Sequence, residues 1–508
     1  HRAGRGGQVN RAWGNFAQRR KGATVSSIVR PGLVSFAVSL FLFVSAPLRE
    51  VSAHTQTQAP PPPPSPVVPT WSPVELIESL GVSHGFAEYV VLPAIQFAVL
   101  LAAILTAVAY LVYLERKVAA FIQARLGPMR VGPVGLLQPL ADGLKLLAKE
   151  DLVPQGADRL VFLFAPVIAI TAALGLLVLV PFGAAWGTVT DINIGLLFLL
   201  AVASVGVFGI VLAGWASNSK YALMGAMRSS AQLVSYEVAV GMALIGPLLF
   251  ARSLSMQEIV EAQRFTGLWF VVLQPLAFAI YFIGSLAETN RAPFDLPEAE
   301  SELVAGFHVE YSGFRWAIFF MAEYTNIIIT SAIAVTVFLG GWSFPGLETA
   351  VSWIAGTDPS TPLYSVVFTL ATLGVFTVKV AVLIYVVMWI RWTLPRYRYD
   401  QLMDLGWKWL IPVSLANILI TALAFLLAMR PDQGGVFGLL EVTRNGLWIG
   451  WTGTAWFIAV NIATFTVAAW LLKKLNRTSW TTDIDALRRA EAQKRAGRLA
   501  TATERGAR

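Results

Sequence analysis

The chain has 508 residues, of which 56% are hydrophobic and only 13% are charged, and its formal net charge is +8. Because soluble globular proteins have about 25% charged residues, this composition excludes an ordinary soluble domain and indicates a membrane protein. The chain has no cysteine, which excludes disulfides, thiolate chemistry and any iron–sulfur cluster ligated by its own side chains.

Histidine, the usual haem ligand, is also scarce. The four histidines, His1, His54, His84 and His308, all lie outside the predicted membrane spans. A haem between two membrane helices takes axial ligands from them, so we expect neither a haem nor a metal site in this chain. Any electron transfer would depend on redox centres in another subunit.

The two ends of the chain differ in composition from the rest. Within residues 1–87, a basic stretch precedes an apolar run at 33–47, small residues follow, and prolines occupy 60–64. This order is typical of a secretory signal followed by a polyproline spacer, although an uncleaved extra helix or a misassigned start also fits. Residues 476–508 are rich in Lys and Arg and are predicted to form a basic cytoplasmic tail.

Nine runs of roughly 20 mostly apolar residues follow, which is the length of a helix that crosses a bilayer. They are too long for barrel strands, and backbone groups in lipid must be hydrogen-bonded within the segment, so the runs predict helices. The predicted fold class is an all-α polytopic membrane protein, a bundle of about nine transmembrane helices within residues 88–475. The runs lie near 88–113, 159–182, 193–214, 232–251, 267–287, 315–339, 363–390, 408–429 and 451–472.

Lys and Arg are concentrated on one side of this predicted topology. The loops of that side are 115–158, 215–231, 288–314 and 391–407, together with the C-terminal tail. The opposite loops carry only Arg252, Arg264, Arg430 and Arg444. Because positively charged loops stay in the cytoplasm, we expect the first span to begin outside and the C-terminus to be cytoplasmic.

The first cytoplasmic loop begins with three charged residues, Glu115, Arg116 and Lys117, at the predicted end of the first span. Taken alone, they are typical of a stop-transfer anchor. Gly-Pro pairs at 127–128 and 132–133 then interrupt any helix.

A predicted amphipathic helix follows these Gly-Pro pairs. Leu137, Leu140, Leu144 and Leu147 recur at helical spacing, and Asp142 lies mainly on another face. This pattern predicts a helix at the membrane surface. It would either anchor the loop or frame the mouth of a cavity that opens to the bilayer.

Ionisable residues are few inside the predicted spans. Away from the first residues of the spans they are Glu237, Glu323 and Lys379, and Glu288 closes the fifth span. Placing one such residue in a membrane costs roughly 2.5–3.5 kcal/mol on insertion scales, so each is a candidate functional residue. Burial disfavours the charged form of a carboxylic acid, which would let it hold or pass a proton. A structural alternative is a buried carboxylate paired with Lys or Arg.

The segment "AETNRAPFDLPEAESE" (287–302) gathers acidic residues beside only one Arg, Arg291. Its acids are Glu288, Asp295, Glu298, Glu300 and Glu302. Pro297 could start a helix whose first turns favour anions. However, Glu298 and Glu302 would be four residues apart and repel by about 0.2–0.5 kcal/mol. We therefore expect basic partners or protonation-linked behaviour in this acidic loop.

The loop 389–408 combines Arg391, Arg396 and Arg398 with aromatic residues and Asp400. Positive-inside topology is sufficient to explain the arginines. They could also pair with the acidic loop across the cytoplasmic face, or bind a partner.

Several of these motifs together resemble the quinone-chamber membrane subunit, known by the letter H, of proton-pumping NADH:quinone oxidoreductase, respiratory complex I. The motifs are "GPMRVGPVGLLQPLADGLKLLAKED", "SYE", "AETNRAPFDLPEAESELVAGFHVEYSG", "AEYTN" and "PRYRYDQLMDLGWK". The similarity covers about residues 88–475, and every motif lies on the side assigned above.

The resemblance implies a subunit of a proton-translocating oxidoreductase of the bacterial cytoplasmic (inner) membrane, without an independent active site. It implies a long quinone chamber whose entrance is lined by the first helix, the amphipathic helix and the sixth helix, with quinone as substrate. The expected partners are other membrane-arm subunits, the iron–sulfur and quinone-site subunits of the peripheral arm, and membrane lipids. No nucleic-acid partner is expected.

The resemblance also assigns roles to individual residues. It implies a proton-coupling route that begins at Glu237, Glu288 and Glu323, with Asp142 as an acidic position beside the chamber. It implies that Glu115, Arg116 and Arg125 belong to the first-loop motif, and that Arg291, Asp295, Glu298, Glu300 and Glu302 belong to a mobile acidic loop beside the quinone path.

The chain departs from the family pattern in the third span, which has Ser204 and no acidic residue where some relatives carry a glutamate. The N-terminal extension is a second departure. Two other functions fit the residues. One is the equivalent subunit of a ferredoxin- or hydrogenase-linked relative. The other is a stand-alone proton-coupled transporter, which would predict inverted repeats that the sequence lacks.

Overall fold

The computed structural model describes residues 73–78, 83–184, 187–297, 303–355, 361–429, 435–443 and 446–471. Three sequence-based predictions lie wholly or largely outside these ranges: the N-terminal extension, the basic C-terminal tail, and the helix start at Pro297 with Glu298, Glu300 and Glu302.

The described chain consists almost entirely of helices, as predicted. They are α1 (His84–Ile122), α2 (Gln138–Ala148), α3 (Arg159–Leu177), α4 (Gly195–Ala216), α5 (Lys220–Ala251), α6 (Met256–Thr266), α7 (Pro275–Glu288), α8 (Gly313–Phe338), α9 (Leu347–Ala355), α10 (Pro362–Thr393), α11 (Tyr399–Ala428) and α12 (Trp451–Leu471). Short helices also occur at Val74–Glu78 and Phe270–Leu273. A hairpin of β1 (Leu440–Thr443) and β2 (Gly446–Ile449) pairs Leu440 with Ile449 in antiparallel register.

Eight of these helices are long and apolar enough to cross a membrane in the described part of the chain. They are α1, α3, α4, α5, α8, α10, α11 and α12. The chain is therefore an all-α polytopic membrane protein. The prediction of about nine spans is met by these eight and by one interrupted segment.

The interrupted segment replaces the fifth predicted span. Its main helix, α7, has 14 residues, which is about 21 Å of helix compared with a hydrocarbon core of about 30 Å. The break falls at Gln274, whose φ of −135° is non-helical because the next residue is Pro275. The Gln274 side chain donates to the Thr421 hydroxyl (3.1 Å) and accepts from the Asn417 amide (3.2 Å), so α11 holds the break in place.

Small residues bring α4 close to both of its neighbours. A Cβ added at Gly209 would come within 2.9 Å of the Ala169 Cβ on α3. At Gly214 it would come within 2.3 Å of the Ala226 Cβ on α5. Gly and Ala allow helix backbones in a membrane to approach closely. This packing sets the distance between the α4 and α5 side chains that face each other.

The loops assigned to the positive side meet at one end of the bundle. Arg315 pairs with Asp151 at 2.9 Å, and the Leu152 amide donates to the Ser312 hydroxyl at 3.0 Å. The Asp158 amide donates to the Ala216 carbonyl at 3.2 Å. The grouping of these loops from their charge is therefore consistent with the fold.

Lys379 of α10 caps the end of α8. Its ammonium donates to the carbonyl oxygens of Leu339 (2.7 Å), Gly341 (2.9 Å) and Ser343 (2.7 Å). It also lies 4.5 Å from the centroid of the Trp269 ring. Carbonyl groups at a helix end lack intrahelical donors, and a cation satisfies them favourably. Lys379 therefore has a structural role, although its partners are backbone carbonyl oxygens and not the carboxylate of the structural alternative considered above.

We expect Lys379→Met to destabilise the protein by at least about 2 kcal/mol, because a buried carbonyl without a donor costs roughly 1–3 kcal/mol. The thermal midpoint of the purified complex would measure this. Lys408→Met is the matched control, because Lys408 makes an exposed pair with Asp404 at 2.7 Å and such pairs contribute about 0–1 kcal/mol. Equal midpoints for the two variants would contradict the capping role.

Candidate functional site

Three glutamates from three different helices line one cavity of about 70 Å³. Glu237 comes from α5, Glu288 from the end of α7 and Glu323 from α8. Most of the remaining wall is apolar, with alanine and leucine side chains from α3 and α4. The structure thus brings together the three carboxylates that the sequence singled out separately. We refer to this space as the glutamate cavity.

The three carboxylates have different partners. Glu237 accepts a hydrogen bond from the Ser204 hydroxyl of α4. Glu323 Oε2 lies 2.9 Å from the guanidinium of Arg291. Within the described residues, Glu288 makes neither a hydrogen bond nor an ion pair. The structural alternative of an Arg-paired carboxylate therefore applies to Glu323 and not to the other two.

Arg291 belongs to the acidic loop, yet it neutralises a carboxylate on α8. Its side chain is only 5% exposed. The guanidinium packs over the Tyr324 ring, with 4.5 Å between its central carbon and the ring centroid, and over the Phe320 ring at 5.5 Å. This burial fixes one positive charge beside the glutamate cavity.

Gln232 of α5 holds the acidic loop in place. Its side-chain amide nitrogen donates to the carbonyl oxygens of Ala287 (2.8 Å) and Phe294 (2.9 Å), at the two ends of the turn. Sequence reasoning missed this residue. The available signal was an amide within an apolar span, because polar groups at membrane depth usually have a partner.

Two arginines of the 389–408 loop reach acidic residues. Arg396 lies 2.6 Å from Asp295 Oδ2, so the prediction that this loop could pair with the acidic loop holds for that residue. Arg391 instead pairs with Glu115 of α1. The Tyr324 hydroxyl also donates to Glu115, at 2.5 Å. Glu115 is thus a buried residue through which α1 contacts both α8 and α10.

The interpretation of Glu115 as part of a stop-transfer anchor was wrong. The first span does not end near 113, because α1 continues to Ile122. Glu115 is only 5% exposed. The charged group is tolerated inside the bundle because two partners distant in sequence satisfy it.

Three other candidate residues line neither the glutamate cavity nor the second cavity described below. The Arg125 side chain bonds Gln123 at the exposed end of α1, at 2.7 Å. Arg398 and Asp400 are exposed at the start of α11. An acid in the first turn of a helix is favoured by the helix dipole, which accounts for Asp400 locally.

A second cavity, of about 230 Å³, lies between α1, α2 and α8. Its walls are mainly apolar and include Val108, Val112, Leu146 and Met321. We call it the apolar cavity. Phe320 and Met321 face it while Glu323 faces the glutamate cavity, so α8 separates the two spaces.

An ion pair contributes the polar part of the apolar cavity. Arg116 lies 2.8 Å from Asp142 Oδ2, and the Gln138 amide donates to the other carboxylate oxygen at 2.9 Å. The sequence grouped Asp142 with the proton-coupling glutamates, but it lines this second cavity. The physical reason is that α2 packs against α1 and α8.

Helix α2 is amphipathic, as predicted. Leu140, Leu144 and Leu147 are 61%, 58% and 62% exposed. Such an outward apolar face suits a helix lying at the membrane surface. The helix both covers one side of the apolar cavity and presents this face outward.

Tyr311 stands at the border of the glutamate cavity wall, next to Phe319. Its ring stacks on Phe162 with 4.0 Å between centroids, and its hydroxyl donates to the Phe162 carbonyl at 3.2 Å. Burial raises the pKa of the Tyr311 hydroxyl well above its ordinary value, so it remains protonated.

Among the described residues, no group of three or more His, Asp or Glu could hold a metal ion.

Fold and site together define a class: a polytopic helical membrane protein with three clustered, partly buried carboxylates and a separate apolar cavity. A family model described as NADH dehydrogenase matches residues 95–422. An H-type subunit of the NADH-quinone oxidoreductase of Geobacter sulfurreducens, numbered 1, is 49% identical over 339 residues, covering 63% of this chain and 91% of the relative. The corresponding protein of Rhodospirillum centenum is 48% identical, with 64% and 92% covered, and that of Solibacter usitatus, numbered 2, is 45% identical, with 66% and 97% covered. The chain belongs to the family of H-type subunits of NADH-quinone oxidoreductase, which are membrane subunits of complex I.

Proposed function

We propose that this complex I membrane subunit forms much of the quinone-binding chamber and couples quinone reduction to proton translocation through its buried glutamates. The observation that carries the proposal is the meeting of Glu237, Glu288 and Glu323 in one cavity. The proposal takes the electron transfer from NADH to quinone from the relatives named above, which are subunits of NADH-quinone oxidoreductase.

The electrostatics of the glutamate cavity favour coupled protonation. Three carboxylates face a largely apolar space, and Arg291 offsets one of them. In a poorly solvated space, a charge acts on its neighbours more strongly than it does in water. A change of charge near the acidic loop would therefore act on all three carboxylates at once.

The apolar cavity supports the quinone part of the proposal. It is bounded by α1, α2 and α8, which are the three elements that line the quinone entrance in the resemblance described above. Its apolar walls suit an isoprenoid chain, and the Arg116–Asp142 pair offers polar contacts to a headgroup.

The proposal includes the placement of the protein. The end of the bundle with the acidic loop faces the bacterial cytoplasm, the first span begins outside, and the C-terminus is cytoplasmic, as the distribution of Lys and Arg suggests. The iron–sulfur and quinone-site subunits of the peripheral arm dock on that cytoplasmic end. Other membrane-arm subunits and lipids cover the outward apolar faces. The protein contributes to a translocase and has no active site of its own.

Glu288→Gln tests the proposal, because it keeps the side-chain shape and removes the titratable group. We expect proton pumping coupled to NADH:quinone reduction in membrane vesicles to fall at least about tenfold (~1.4 kcal/mol). NADH oxidation by an artificial acceptor in the peripheral arm should remain at the wild-type rate, which shows that the complex has assembled.

Glu150→Gln is the matched control, because Glu150 is exposed in the loop after α2 and loses the same charge. It should pump as the wild type does. Wild-type pumping by Glu288→Gln would remove this residue from the route. Equal losses in both variants would point to a general effect of surface charge.

A further inference from the structure

Ser204 has the only hydroxyl, amide or charged side chain in α4. Its hydroxyl bonds the carboxylate of Glu237, which lines the glutamate cavity. The same oxygen is 3.1 Å from the carbonyl of Leu200, one turn earlier in its own helix. The hydroxyl thus has two acceptors within reach.

A serine hydroxyl has one proton to donate and can also accept. When Glu237 is ionised, the hydroxyl donates to the carboxylate. When Glu237 carries a proton, its O–H donates to Ser204 Oγ, and the Ser204 proton turns to the Leu200 carbonyl. Only the direction of the hydrogen bonds changes, and no covalent bond of Ser204 is broken.

Among the described residues, Ser204 is the side chain that hydrogen-bonds the Glu237 carboxylate. Helix α7 contributes Glu288 and Tyr281, and α8 contributes Glu323, whose charge Arg291 offsets. The α3 wall of the cavity consists of alanine and leucine. No cation among the described residues pairs with Glu237. An arginine in that position would favour the ionised state, whereas a hydroxyl serves both states.

We propose that Ser204 is a positioning residue for Glu237, which keeps its carboxyl group hydrogen-bonded in both the ionised and the protonated state. This inference rests on the proposed proton-coupling function. It assigns to α4, a helix without an acidic residue, a part in each change of protonation at Glu237.

The test uses the assembled complex with the variants S204T and S204V, which have the same shape and differ only in the hydroxyl. S204A removes the hydroxyl without adding volume, and S217A is the control. Ser217, also on the α4 side of the chain, donates only to the Ala213 carbonyl. The rate of proton pumping coupled to NADH:quinone reduction is measured in vesicles. Redox-induced infrared difference spectra give the C=O stretch of protonated Glu237, identified by its loss in E237Q.

We expect S204V and S204A to pump about tenfold more slowly than the wild type (~1.4 kcal/mol) and to move the C=O band to higher frequency, because a hydrogen bond to the acid is lost. S204T and S217A should retain both the wild-type rate and the wild-type band.

Equal behaviour of S204T and S204V would overturn the inference, because the hydroxyl would then have no effect. If E237Q is impaired while S204A and S204V are normal, the role of Ser204 is wrong and the proposed function stands. If E237Q itself pumps normally, the assignment of Glu237 fails and the Ser204 inference fails with it.

Discussion

Arg291→Met is expected to abolish most assembly of the complex. The guanidinium is buried and pairs with Glu323 at 2.9 Å, so the substitution removes the cationic side of this ion pair. Breaking a buried ion pair from one side costs about 3–5 kcal/mol. The amount of assembled complex on a native gel, and the thermal midpoint of any that is purified, measure the loss.

A double variant separates stability from coupling. Replacing both partners, as Arg291→Met with Glu323→Leu, removes both charges of the pair, and such exchanges are often neutral or stabilising. We expect assembly to recover while proton pumping stays low, because one of the three carboxylates is gone. Arg315→Met is the control, since its pair with Asp151 is partly exposed and contributes about 0–1 kcal/mol. Assembly of the double variant no better than that of Arg291→Met would contradict the pairing.

Gly143→Trp is expected to obstruct the apolar cavity without disturbing the fold. Gly143 lies on α2 and lines this cavity, and a Cβ added there meets no atom within 4 Å. An aromatic side chain can therefore enter the space that the proposed quinone path uses. We expect kcat/KM for a long-tailed quinone to fall at least about tenfold (~1.4 kcal/mol). A short-tailed soluble quinone should be affected less.

Gly143→Ala is the control for this variant, because it adds only one methyl group in open space and favours the helix. It should leave the kinetics of both quinones unchanged. Unchanged kcat/KM for the long-tailed quinone in Gly143→Trp would show that the quinone does not pass between α1, α2 and α8.

The amphipathic helix and the spans show what can be predicted from sequence. Helix α2 was predicted because the spacing of Leu140, Leu144 and Leu147 is a local property of the chain. The span that contains α7 was predicted as one continuous helix, because its hydropathy gives no sign of the break at Gln274, which only the following Pro275 marks locally. The break is stabilised by the buried side chain of Gln274, which hydrogen-bonds two residues of α11.

The candidate site was predicted residue by residue, but its arrangement was not. Apolar surroundings identified Glu237, Glu288 and Glu323 as unusual. Nothing local to Glu115 distinguished a membrane anchor from a buried junction, because its partner Tyr324 is 209 residues away in sequence. Asp142 was grouped with the glutamates, although α2 places it at the other cavity.

The sequence by itself determined that the chain crosses the membrane many times, which loops share one side, that α2 is amphipathic, and to which family the chain belongs. These properties depend on the composition and spacing of residues within short segments, because each segment enters the lipid according to its own hydrophobicity. The tertiary structure alone decided that three glutamates share one cavity, that Arg291 belongs to Glu323, and that Ser204 belongs to Glu237. Pairings of this kind depend on distances between helices that are far apart in the chain, and side-chain packing of the whole bundle sets those distances.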